Sequence, residues 1–275
     1  MIKRVFVEGT SVIGLALIVI AGVAALNSGD LGWLGVVLAW LPVLSYYGYL
    51  LLAAPSTRSR NLWAIFAISA AGVLVAAFAG PVALVAATGG LAAALLYTYW
   101  YSRQHVPAAG LTVGMPLPEF ALTTLDGELV SSAVLADRPH VIMFYRGNWC
   151  PFCMVQIKQI ADQYRELEAR GVGVALISPQ RADDTAELAT RFELPLQFFV
   201  DTDGAAADLL DLTQSGGTPM LYGAGTNGDT VVPTVVITDA EGRVVWLEHA
   251  DNHRIRPEPS TFLEVLDREG IGRPR

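Results

Sequence analysis

The hydrophobic pattern of this chain changes once. Through residue 103 apolar residues run in long blocks, with no charged side chain between Asp30 and Arg58 or between Arg60 and Arg103. Beyond a short connection, 102–110, the apolar runs become brief and alternate with segments repeating at helical spacing. Four early blocks, 10–26, 32–54, 62–79 and 82–101, come close to the ~20 residues with which a helix crosses a ~30 Å hydrocarbon layer. Helix is expected there because lipid offers unpaired backbone groups no partner. The breaks "NSGD", "APSTRSRN" and "GP" are polar or turn-forming. Trp63, Tyr97, Tyr99, Trp100 and Tyr101 fall at block ends, where amphipathic rings favour the headgroup layer.

In the second half the pattern predicts a hairpin turning at "LDGEL", 125–129, then a strand over 141–145 and a helix over 151–170. A strand over 172–178, a helix over 182–191, a strand over 196–200 and a short helix over 205–212 follow. A strand over 234–238, the turn "DAEG", a strand over 244–248 and a helix over 260–267 close the chain. The fold class expected is therefore an α-helical transmembrane region of four spans, 1–103, followed by an α/β domain, 104–275.

Charge sharpens the division. Lys3, Arg4, Arg58, Arg60 and Arg103 all lie on one side of a four-span arrangement, so both termini and the second domain are expected in the cytoplasm, on a multi-pass cell-membrane protein. The first block, after Lys3 and Arg4, could be read as a cleaved leader, but three further blocks favour a retained anchor. Tyrosine is the only ionisable side chain within the blocks, which argues against an ion or proton path. Gly72, Gly89 and Gly90 suit close helix packing, and Pro42 with Tyr46, Tyr47 and Tyr49 leaves open a lipid or quinone site. Residues 104–275 carry thirteen Lys/Arg against twenty-four Asp/Glu, a net charge of −11 that suits nucleic acid poorly.

The chain has two cysteines, Cys150 and Cys153, both in "FYRGNWCPFCMVQ", at the junction of a predicted strand and helix. Cys153, Ile157, Ile160, Tyr164 and Leu167 recur in steps of four and three, which places Cys153 on a buried stripe. Cys150 falls at the helix N-terminus, where free N–H groups and the macrodipole lower a thiol pKa from ~8.5 toward ~3.5–7.5. Cys150 is thus expected to point outward and attack, and Cys153 to resolve. One helical turn separates them, so the pair can close reversibly. Pro151, at the first helical position, gives up no needed N–H.

Other readings of the pair fit the spacing less well. His249 and His253 would complete a zinc pattern, but 95 residues separate Cys153 from His249, far more than the ~12–15 of a finger, so no metal is expected. A structural disulfide is disfavoured in a cytoplasmic domain. His105 and His140 are assigned to linker and surface. No phosphate-binding glycine loop or nucleophilic serine motif is present, and no cofactor is expected.

C-x-x-C between a strand and a helix, followed much later by a strand-opening proline in "VVPTVV", a hairpin and a terminal helix, resembles the thioredoxin arrangement. Pro233 would then match its cis-proline and face the cysteines. "VIMFYRGNWCPFCMVQI" more closely resembles the peroxiredoxin-like branch of the alkyl hydroperoxide reductase and thiol-specific antioxidant family. "GMPLPEFALTTLDGELVS", "VVPTVVITDAEGRVVW" and "RIRPEP" extend the likeness over 110–270. The resemblance implies that Cys150 attacks a peroxide, becomes a sulfenic acid and is captured by Cys153. Arg146, Trp149, Pro151 and Pro233 would support the site. Where typical members have a proline and a threonine upstream of the attacking cysteine, this chain has Met143 and Gly147, with Arg146 as a source of positive charge. Reduction of protein disulfides, or a non-catalytic membrane scaffold, are the rival readings. The partners implied are a peroxide or disulfide substrate, an external thiol reductant such as a thioredoxin-type protein, and the lipid bilayer. The connection, about ten residues long, reaches at most ~35 Å when extended, which would keep the site near the headgroups.

Overall fold

The computed structural model describes residues 2–53, 55, 57–104, 110–223 and 228–272. His105 lies outside them. The chain divides into two compact units, Met1–Arg103 and Gln104–Arg275.

The first unit is helical: α1 (Phe6–Ser28), α2 (Leu34–Leu52), α3 (Trp63–Ala76) and α4 (Pro81–Leu96). Three stretches, Ile2–Ser28, Leu31–Leu52 and Pro81–Tyr101, are long and apolar enough to cross a membrane, and Trp63–Ala79 is a shorter apolar helix. α1 starts four residues before the expected block, which brings Glu8 into its first turn. α2 and α3 meet backbone to backbone: a Cβ on Gly72 would lie 2.6 Å from Ala39 N, and one on Gly35 would lie 2.3 Å from Ala76 N. Ser69 Oγ donates to Ala39 O at 2.9 Å across the same contact. The small residues permit the approach, and dispersion over the touching surfaces holds it. Tyr46 and Tyr47 both pack on Tyr97, with ring centroids 5.7 and 5.2 Å away, so these tyrosines fill the space between helices with one another.

The second unit is an α/β domain. Its elements are β1 (Ala121–Thr124), β2 (Leu129–Ser131), β3 (His140–Phe144), α5 (Pro151–Asp162), α6 (Tyr164–Ala169), β4 (Gly173–Ser178) and α7 (Ala182–Ala189). Then come β5 (Gln197–Val200), α8 (Ala205–Leu209), β6 (Thr213–Gln214), β7 (Thr230–Val231), β8 (Thr234–Thr238), β9 (Val244–His249) and α9 (Pro259–Glu269). A seven-stranded sheet runs β2-β1-β5-β4-β3-β8-β9, and β6 pairs with β7 apart from it. β3, β4 and β5 are parallel, while β8 is antiparallel to β3. Every residue of β3 and β4 is buried, which explains why both read as continuous apolar runs rather than alternating ones.

Three sequence expectations change here. The single helix over 151–170 breaks at Gln163 (φ −97°, ψ 0°), yet Tyr164 and Leu167 stay buried, so the stripe survives the break. His140 is buried, not on the surface. Its Nδ1 lies 2.8 Å from Arg138 O and its Nε2 lies 3.1 Å from Gln197 Oε1, and these partners make burial of an imidazole tolerable. Pro233 follows a trans bond; among the described residues no peptide bond is cis. The chain runs straight through this point because Val232 N donates to Leu212 O (2.7 Å), Ala250 N donates to Pro233 O (2.9 Å), and an X–Pro bond is trans by default.

Candidate active site

β3 delivers the site. Tyr145 N still donates to Ile177 O at 2.9 Å, after which the chain leaves the sheet, turns through 146–149 and enters α5. The turn depends on Gly147, whose φ of +145° disfavours a side chain and whose Cβ would lie 2.7 Å from Trp149 Nε1 and 3.0 Å from Gln180 Oε1. Gln180, just beyond β4, ties the turn down. Its Oε1 accepts from Asn148 N (2.7 Å), and its Nε2 donates to Asn148 Oδ1 (2.9 Å), Tyr145 OH (3.2 Å) and Thr185 Oγ1 (3.0 Å). Burial pushes the Tyr145 phenol well above its ordinary range, against hydrogen bonds to Thr185, Ser178 and Gln180.

Cys150 is the N-cap of α5, with its Sγ accepting from Cys153 N at 3.4 Å, and Pro151 occupies the first turn. Both cysteines are free thiols. Cys153 faces inward as the stripe predicts, at 0% exposure. Cys150 does not face outward: it is 1% exposed. Beside it the Trp149 ring stacks on Tyr222, with centroids 6.1 Å apart and planes 18° apart. The Arg146 guanidinium lies 4.6 Å from the Trp149 ring centre and donates to Gly217 O at 2.5 Å.

A residue the sequence reading did not assign completes the site. Arg256, 4% exposed on the segment before α9, places Nη2 3.7 Å from Cys153 Sγ. Burial raises the Cys153 thiol, but its hydrogen bond with Cys150 and the charges of Arg256 and Arg146 outweigh this and bring it down to about 6. Cys150 is pushed well above the ordinary thiol range by burial and by the hydrogen bond and charge of Cys153, against Arg146 and Arg256. The two thiols titrate as a coupled pair, and the charges of Arg146 and Arg256 favour a thiolate on it. The helix N-terminus favours charge on Cys150, whose Sγ accepts from Cys153 N, and the Arg256 guanidinium favours it on Cys153.

Pro233 sits at the same end of the sheet, since Thr234 pairs with Phe144. Met143 is buried within β3. Thr234 Oγ1 lies 2.9 Å from His249 Nδ1, and His253 packs edge-on against Phe152 with centroids 5.7 Å apart, so neither histidine stands with the cysteines as a ligand set.

A dithiol at the head of a helix that leaves an inner strand of a thioredoxin-like sheet defines a thiol-dependent oxidoreductase. The model of the AhpC/TSA family matches residues 113–247. A peroxiredoxin-type protein of Helicobacter pylori, bcp, is 30% identical over 113 residues, covering 41% of this chain and 72% of that protein. A peroxiredoxin-type protein of Mycobacterium tuberculosis is 27% identical over 139 residues, covering 50% and 85%. Among solved structures, peroxidoxin BcpB of M. tuberculosis aligns with a TM-score of 0.45 and 18% identity over 56% of this chain and 94% of that one. The chain belongs to the AhpC/TSA family. It is a thiol-dependent peroxidase or thiol–disulfide oxidoreductase.

Proposed function

We propose that this protein is a membrane-anchored antioxidant enzyme that reduces peroxides through a Cys150/Cys153 dithiol–disulfide cycle at the cytoplasmic face of the membrane. The observation that carries the reading is the hydrogen-bonded pair of free thiols at the N-terminus of α5, with Arg146 and Arg256 beside it, in a chain of this family. Cys150 attacks the peroxide and Cys153 resolves the sulfenic acid. An external dithiol, such as a thioredoxin-type protein, then restores the pair. Arg146 supplies charge and, with Trp149, Pro151 and Pro233, frames the site.

Anchoring is supported by the three long apolar helices. The reading counts four spans over 1–103, with Trp63–Ala79 as the third: at ~1.5 Å per residue it is ~25 Å long, and the lower limit for a span is ~17 residues. The one-sided basic residues support a cytoplasmic position for the 104–275 domain. A short connection to such an anchor makes lipid-derived hydroperoxides the substrate class of choice, since they leave the bilayer at high local concentration.

One observation favours a second reading. Gly147 and Met143 supply no side-chain hydroxyl to position a peroxide, so reduction of protein disulfides stands as the alternative. Stopped-flow oxidation of the reduced full-length protein in liposomes, by phospholipid hydroperoxide, hydrogen peroxide and a small disulfide, separates the two. Peroxidase function requires the lipid hydroperoxide to react fastest. Reaction with the disulfide alone would transfer the assignment to disulfide reduction.

A further inference from the structure

The exposed large apolar side chains of the α/β domain stand singly, with one exception among the described residues. Met220, Leu221 and Tyr222 are consecutive, and they are 53, 73 and 50% exposed. Scattered apolar residues on a surface need no explanation, but an exposed run of them marks a surface that meets something. The run is held out by its own backbone. Tyr222 N and Gly223 N donate to Pro219 O at 3.1 and 3.0 Å, closing a turn with the three side chains at its tip, and Thr218 N donates to Gly228 O at 3.0 Å at its base. These N–H groups are paired within the loop, which lowers the cost of moving it out of water.

Charge sets this loop apart from the rest of the domain. Residues 212–228 hold no Lys, Arg, Asp or Glu, the longest such stretch in 104–275, a domain of net charge −11. An anionic bilayer surface repels carboxylates, and this segment offers none to repel. Leucine and methionine gain by leaving water, and a tyrosine ring settles at the headgroup layer. The same chain carries three helices long and apolar enough to cross a membrane, so lipid is the apolar phase within reach. The loop also adjoins the thiols. The Tyr222 ring stacks on Trp149, the residue before Cys150, with centroids 6.1 Å apart, and Gly217 O accepts from Arg146 Nη2.

We propose that the 219–223 loop is a lipid-contacting element, which lays Met220, Leu221 and Tyr222 into the bilayer surface and brings the Cys150 end of α5 to phospholipid hydroperoxides. The inference rests on the anchoring and the substrate class proposed above, and adds the surface through which enzyme and lipid meet. A phospholipid hydroperoxide carries its O–O group on an acyl chain, so a site served by this loop receives it at the interface without lifting the lipid into water.

The test uses the full-length protein in liposomes of phosphatidylcholine and phosphatidylglycerol, with Leu221 replaced by the photoreactive residue p-benzoylphenylalanine. Illumination should join this position to phospholipid, read by mass spectrometry as a lipid adduct on its peptide. The same replacement at Leu129, a comparably exposed leucine of β2, should give far less. Leu221→Asp should slow reduction of a phospholipid hydroperoxide about tenfold, because a large apolar side chain no longer enters the lipid, while hydrogen peroxide reacts at the wild-type rate. If Leu221→Asp does not fold, Leu221→Ser takes its place with the same expectation. An adduct to a second copy of the chain, no adduct, or equal lipid adducts at 221 and 129 overturns the inference, and so does equal slowing with both peroxides. In each of those cases flotation of the protein with the liposomes leaves the anchoring standing. If the protein does not float with them, anchoring and inference fall together. If neither peroxide is reduced, the peroxidase reading falls, and the adduct at 221 alone decides the lipid contact.

Discussion

Two buried guanidinium groups stand beside the buried cysteine pair, and the opposite shifts of the two thiols give the reduced protein a particular dependence on pH. Cys153 has a folded pKa below the ordinary thiol value. Its contribution to stability is therefore fully present above ~8.5 and is lost as pH falls through about 6. Cys150 is shifted the other way, so its contribution is fully present below ~8.5 and is lost as pH rises toward its raised value. Thermal unfolding of the reduced protein should show greatest stability near pH 8.5, and a Cys150→Ala, Cys153→Ala double variant should lose that maximum. A second prediction concerns the turn before the helix: Gly147→Ala should destabilise the redox unit by ~1–3 kcal/mol in urea unfolding, because it adds backbone strain and a Cβ where Trp149 and Gln180 already lie. The cysteines and their stripe were legible because a helix writes its burial into spacings of three and four. Arg256 and Gln180 were not. Arg256 is 103 residues from the sulfur it touches, and nothing local in "RIRPEP" tells a reader where that side chain points.

At the scale of elements, the strand-to-helix junction was readable and its details were not. The order of strands and helices follows from periodicity. The small β6–β7 pair depends on contacts between segments far apart in the chain, such as Val232 N to Leu212 O, and the break at Gln163 leaves no mark on the spacing of the buried stripe. In the helical unit, glycines suited to close packing were visible, but which pair met required coordinates: α2 and α3 touch through Gly35 and Gly72. Gly72→Leu should push these helices apart and destabilise the unit by ~1–3 kcal/mol in detergent, with peroxide kinetics at the cysteines unchanged. Slower cysteine oxidation in that variant would mean that the two units are energetically coupled.

For the whole molecule, the basic residues predict topology and the apolar helices predict anchoring. A reporter joined after Arg275 should be active as a cytoplasmic fusion and silent as alkaline phosphatase; the reverse pattern would place the thiols outside. The burial of both sulfurs has a kinetic consequence. No oxidant can reach a thiol that is 1% exposed without a prior opening, so opening becomes a step of its own, slower or faster than chemistry depending on oxidant concentration. The observed oxidation rate should rise with peroxide and then level off, at a plateau shared by hydrogen peroxide and a bulkier hydroperoxide, because the plateau measures the gate and not the oxidant. Tyr222→Ala, which removes half of the stack, should raise it. The enzyme's maximum speed would then be set by the loosening of the packing around the sulfurs rather than by either sulfur, with every reacting atom in place.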